Sequence, residues 1–124
     1  MRYLFPLLFL TLFLASCAAP RPSPGAFESA ERRIEAAVEA GAEQHSPVEL
    51  RFAREKLAEA RKGMEERYNQ GEKAIYLIEQ SEINSELAIE KSRTAEIRAQ
   101  VAELARQNEI LREDFEATFG EAIQ

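Results

Sequence analysis

The chain has 124 residues, 31% of them charged, with a formal net charge of −6 and no tryptophan. That length holds one small domain, and the acidic balance excludes a nucleic-acid binder, which needs clustered Lys and Arg to neutralise phosphates. It also disfavours docking by charge onto anionic lipid headgroups, and the single cysteine cannot form an internal disulfide.

The first element is a leader. Arg2 precedes the apolar run Tyr3 to Phe13, and the small residues Ala15 and Ser16 follow. A positive start, an apolar stretch and small residues before a cleavage point make a secretory signal layout over residues 1–16. The run is too short to span a bilayer and is closed off by Pro20, Pro22 and Pro24. Leu14-Ala15-Ser16-Cys17 resembles a bacterial lipobox. That resemblance implies cleavage before Cys17, a diacylglycerol thioether on its sulfur and acylation of the new amine. Acyl chains contribute about 0.8 kcal/mol per buried methylene, so several of them anchor a protein for practical purposes permanently. Ala18, not Asp, follows the cysteine. For this class that implies delivery to the outer membrane, on its periplasmic face, with the inner membrane as the alternative. Residues 17–25 read as the lipidated cysteine followed by a proline-rich tether, extended at ~3.1 Å per residue, that holds the fold clear of the headgroups.

From Phe27 the apolar spacing turns helical. Phe27, Ala30, Ile34, Ala37, Val38 and Gly41 recur at intervals of three and four and predict a first helix over 26–43. Its other side carries Glu28, Glu31, Glu35, Glu39 and Glu43, a solvated carboxylate face with no histidine in register to complete a metal site. Ser46-Pro47-Val48-Glu49 predicts a second helix starting at Pro47, with Glu49 reaching back to the Ser46 amide as a capping box. Its buried stripe is Leu50, Ala53, Leu57, Ala60, Met64 and Tyr68. Arg51–Glu55, Arg61–Glu65 and Lys62–Glu66 are expected as local pairs on the wet side. Asn69 and Gly71 mark a turn, the glycine in a left-handed conformation and Asn69 with Glu72 as a cap. A third helix then runs without Pro or Gly from Glu72 to Phe119.

The third helix carries two rows. Ala74, Ile78, Ser81, Ser85, Ala88, Ser92 and Ala95 are almost all small and predict close packing against the second helix as an antiparallel hairpin over 47–95. The second row holds Tyr76, Ile83, Leu87, Ile97, Val101, Leu104, Asn108, Leu111 and Phe115. Its first part is expected to hold the first helix. Its second part, on an extension over 96–119, has nothing in the chain to cover it. There Val101, Asn108 and Phe115 fall at heptad position a, and Ile97, Leu104 and Leu111 at d. A β-branched a, leucine at d and one Asn at a resemble a parallel two-stranded coiled coil. The extension is thus either a surface for a partner helix, from a second copy or another protein, or a solvated helix end.

The stretch from Ala40 to Leu104 also resembles the small helical domain of bacterial envelope proteins catalogued as domain of unknown function 4398. The marks are Ala40-Gly41-Ala42, Ser46-Pro47-Val48-Glu49-Leu50, Ala53, Lys56-Leu57, Ala60 and the Ala/Ser-rich third segment. The family more often has Ala-Pro and an aromatic where this chain has Ser46-Pro47 and His45, a departure that leaves the helix start intact. The resemblance implies a periplasm-facing lipoprotein with a helical hairpin and no known activity. Longer relatives continue into an OmpA-like peptidoglycan-binding domain; this chain is expected to lack one.

The expected fold is therefore all-α: an antiparallel hairpin with an additional N-terminal helix and a long C-terminal helix. No enzyme is expected. His45 is the only histidine and precedes a helix cap, Ser81, Ser85 and Ser92 have no base in register, and Gly63 and Gly71 form no phosphate loop. No cofactor or metal is expected. Two functions compete: a structural or adaptor lipoprotein of the envelope, or a module holding a small apolar ligand among Phe27, Tyr76, Ile83 and Leu87.

Overall fold

The computed structural model describes residues 20–66 and 70–120. Four helices follow one another: α1 Ala26–Glu39, α2 Ala42–His45, α3 Pro47–Glu66 and α4 Gly71–Phe119. Among the described residues there is no strand, and the fold is all-α. Cross-helix ion pairs give the directions. Lys91 pairs with Glu49 and Lys73 Nζ lies 2.8 Å from Glu59, so α3 and α4 are antiparallel. Arg61 on α3 reaches Glu31 on α1 at 2.5 Å, while Arg33 on α1 lies 3.6 Å from both Glu82 and Glu86 on α4. The bundle runs up, down, up, with α1 parallel to α4.

Its core is built mainly of alanine. Ala30, Leu57, Ala60, Ala74, Leu77 and Ile78 form one buried cluster at the Gly71 end, with Phe27, Ile34 and Met64 against it. Ala37, Ala42, Leu50 and Ala88 form a second towards Ser46. Between α3 and α4 the serines sit fully buried with their hydroxyls satisfied. Ser81 Oγ donates across to the Ala53 carbonyl at 2.8 Å, and Ser85 and Ser92 donate to carbonyls one turn back on α4. Small side chains let the two backbones approach, and each buried hydroxyl has a local acceptor, so the close contact carries no unsatisfied donor.

Several local expectations change in the folded chain. The first helix stops at Glu39, not residue 43, because Gly41 adopts a left-handed conformation, φ 79°, which only glycine enters without strain. Its N–H donates to the Val38 carbonyl, ending α1, and the chain restarts as α2. The Ser46 amide already donates to the Ala42 carbonyl at 3.0 Å, so Glu49 cannot use it. Glu49 instead accepts the Ser46 hydroxyl at 2.8 Å and a bond from Lys91. Arg61 passes over Glu65 for Glu31 and stacks over Phe27, 5.7 Å from the ring centroid. Arg51–Glu55 and Lys62–Glu66 do form. Gly71 has no positive φ. It is buried as the first residue of α4, where any Cβ would collide with the Pro20 carbonyl. Pro20 therefore lies directly against the first residue of α4. Tyr68 and Asn69 lie outside the described residues.

Lys91, and next Ser46, hold the Glu49 carboxylate down to about 2 from an ordinary 4.5. Folding therefore favours its ionised form. The stabilisation is complete above pH 4.5 and disappears as the pH falls towards 2. Glu49→Gln is expected to lower the melting temperature at neutral pH, with the difference closing as the pH approaches 2, in thermal melts across that range. A constant difference at all pH values would contradict this.

Candidate interaction surface

α4 is far longer than its partners. At 1.5 Å per residue, its 49 residues reach about 73 Å. Ser92 is the last residue buried on it and Ala95 is half-buried; every residue from Glu96 to Phe119 is exposed. The extension projects about 36 Å from the His45–Ser46 end of the bundle, opposite the end at which Pro20 meets Gly71. Outside the bundle, helicity is supported by pairs one turn apart. Arg106 Nε and its terminal nitrogen reach Glu103 at 3.1 and 2.9 Å, and Arg112 lies 3.0 Å from Glu109 and 3.8 Å from Glu116. Arg106, and then Gln107, keep the Glu103 carboxyl below its ordinary range.

The residues expected to meet a partner helix, Ile97, Val101, Leu104, Asn108, Leu111 and Phe115, all lie on this extension and are all exposed. The five apolar ones are between 57% and 65% accessible. The Phe115 and Phe119 rings lie 5.0 Å apart near the tip. The structure adds residues to this face. Tyr76, Ile83 and Leu87 were expected to hold the first helix, but they too are exposed, at 59%, 58% and 45%. α1 packs elsewhere on α4, along Ile78, Glu82 and Ile89, and Ser29 Oγ donates to Glu82 at 2.9 Å. α3 covers the small row. The two helices occupy adjacent sides of α4 about a quarter of a turn apart, and the apolar row runs down the side facing away from both.

The four residues proposed to hold an apolar ligand do not converge. Phe27 packs half-buried against the bundle core, while Tyr76, Ile83 and Leu87 are exposed on another side of α4. A groove of about 530 Å³ does lie between residues 21–26 and α4, but Arg21, Ser29, Glu79 and Glu82 are among its walls. His45 is exposed beside Glu90, Lys91 and Arg98. Among the described residues no three His, Cys, Asp or Glu side chains converge as a metal site, and no helix is long and apolar enough to cross a membrane. Leu14, Ala15, Ser16 and Cys17 lie outside the described residues.

The model of one protein family, described as a domain of unknown function (DUF4398), matches residues 25–104. The chain belongs to that family. The matched span takes in α1, α2, α3 and α4 up to Leu104, so the DUF4398 region holds the whole bundle and the first part of the extension. Ile97, Val101 and Leu104 fall within it; Asn108, Leu111 and Phe115 lie beyond. No curated protein and no solved structure matches the chain.

Proposed function

We propose that this DUF4398 protein is a lipid-anchored adaptor of the bacterial cell envelope that displays a helical rod for protein interaction. A lipid on Cys17 holds one end to the outer membrane on its periplasmic face, and the α4 extension engages a partner at the other. The observation that supports this reading most is the placement of the two ends. Pro20 lies against the first residue of α4, whereas the uncovered part of α4 leaves the opposite end of the bundle. Cys17 precedes Pro20 by three residues, and an extended chain spans at most ~3.6 Å per residue. The anchor is thus confined near the Gly71 end, and a rod of about 36 Å points away from the bilayer. The family membership is compatible with an envelope protein and names no reaction; this reading assigns the chain no catalysis, cofactor or metal.

Cys17→Ser tests the anchor. The variant is expected to remain an unlipidated precursor and to leave the outer-membrane fraction, read by fractionation and intact mass. Normal retention, or a wild-type mass without acyl additions, would remove the lipid anchor from this reading. Recovery of the wild-type protein in the inner-membrane fraction would reassign the membrane but leave the rod's direction unchanged.

A further inference from the structure

We infer that the exposed face of α4 is a seam between two copies of this chain, paired in parallel and in register from Tyr76 to Phe115. This rests on the reading of α4 as an interaction rod and names its partner. Three observations carry it.

The row keeps one register on both sides of a polar break at Glu90 and Thr94, with Gln80 also at a core position. Tyr76, Ile83 and Leu87 on the bundle and Ile97, Val101 and Leu104 on the extension obey one heptad register, with Leu87 and Val101 at a and the others at d. Tyr76 and Ile83 are as exposed as the residues on the extension, and Leu87 is less so but still open. Because α1 and α3 take other sides of α4, a helix can lie along this face without displacing either. The seam is therefore about twice as long as the extension's share alone, which matters because short helical pairs are marginal.

Asn108 selects the occupant. At an a position it would be buried by any helix laid on the row, and an apolar residue opposite would leave its amide unpaired. An antiparallel copy places a against d, which sets Asn108 opposite an apolar layer or outside the seam. A parallel copy in register places Asn108 against the same residue, and the two amides satisfy each other. Flanking positions agree in part. Gln107 of one copy meets Arg112 of the other without charge conflict, whereas Arg93 meets Arg98. The latter opposition, with Glu90 and Thr94 in the seam, makes residues 90–98 its weakest stretch.

The third observation is the placement of the ends. With both chains parallel, both Gly71 ends face the same way, so both tethers reach one bilayer. An antiparallel pair would separate them by most of the length of α4. Confinement to one surface also raises the effective concentration of the two helices.

Disulfide trapping tests the inference in the full-length chain, within membranes of the bacterium expressing it. A disulfide needs Cα atoms within about 7 Å, so Asn108→Cys reacts with its own copy only in a parallel, in-register pair. Asn108→Cys and Leu87→Cys are each expected to convert most of the chain to covalent dimer on mild oxidation. Arg106→Cys, on the outward side of the same helix, and the parent chain with Cys17 alone are expected to remain monomeric. Adding Leu104→Glu, at a residue that touches nothing in the bundle, should abolish the Asn108→Cys dimer while leaving the thermal unfolding of the bundle unchanged. Trapping at 108 but not at 87 overturns the seam along the bundle. Adducts with a different protein overturn the homodimer and leave the adaptor reading standing. A monomer with no adducts overturns both. Dimer recovered from the soluble fraction supports the seam and removes the membrane tether.

Discussion

Leu57→Ala is expected to destabilise the bundle by about 2–5 kcal/mol, the range for a leucine removed from a core that cannot close over the gap. Only four of the buried apolar residues among those described are larger than alanine: Leu50, Leu57, Leu77 and Ile78. Leu57 is the one on α3 that reaches Ala30 on α1 and Ala74, Leu77 and Ile78 on α4 together. Ala30, Ala60 and Ala74 in the same cluster are short side chains on rigid helices and cannot swing into the space. A small domain is stable by about 5–15 kcal/mol, so this substitution removes a large fraction of the total. At about 4–8 °C per kcal/mol for a domain of this size, thermal unfolding followed by circular dichroism should show a shift of at least ten degrees or so. An unchanged midpoint would mean that α1 and α4 do not meet at Leu57.

The second large effect has the opposite sense of volume. Ser81→Leu is expected to cost about 1–3 kcal/mol by overpacking, and Ser81→Ala only about 0.5–1.5 kcal/mol for the lost hydrogen bond. Ser81 is fully buried, with its hydroxyl 2.8 Å from the Ala53 carbonyl and alanines on the facing helix. A leucine there has no void to enter, so α3 and α4 must separate along a seam in which Ser85, Ala88 and Ser92 are equally buried. The alanine variant keeps the spacing and loses only a donor, because the Ala53 carbonyl keeps its place in the α3 ladder. Urea unfolding of the two variants ranks them. If alanine proved the worse, the row would owe its role to hydroxyl chemistry and not to size.

Much of this fold was legible in local chemistry. Pro47 opens α3 because its fixed φ and missing N–H suit a first helical position, and that holds whatever the rest of the chain does. The three-and-four spacing of Ala74, Ser81, Ser85 and Ala88 marked the close-packed face of α4, and the heptad from Ile97 to Phe115 marked the face left bare. Leu77 was missed, since a single leucine at the edge of a row of small residues does not alter its period.

Periodicity fixes which residues share a face of one helix, because 3.6 residues per turn is a property of the backbone alone. It does not say which face meets which neighbour. Whether α1 covered Tyr76, Ile83 and Leu87 or the Ile78–Ile89 side depended on contacts distant in sequence: Ser29 and Arg33 with Glu82, Ala30 beside Ile78, Ala37 near Ala88. The same holds for Arg61, which exchanges a neighbour on its own helix for Glu31, and for Gly71, whose missing Cβ accommodates the Pro20 carbonyl instead of a left-handed turn. By itself the sequence determined an all-α chain, the starts of α1 and α3 and the two faces of α4. Tertiary structure alone decided that the open face continues along Tyr76, Ile83 and Leu87, because covering a face requires segments far apart in the chain to compete for the same surface.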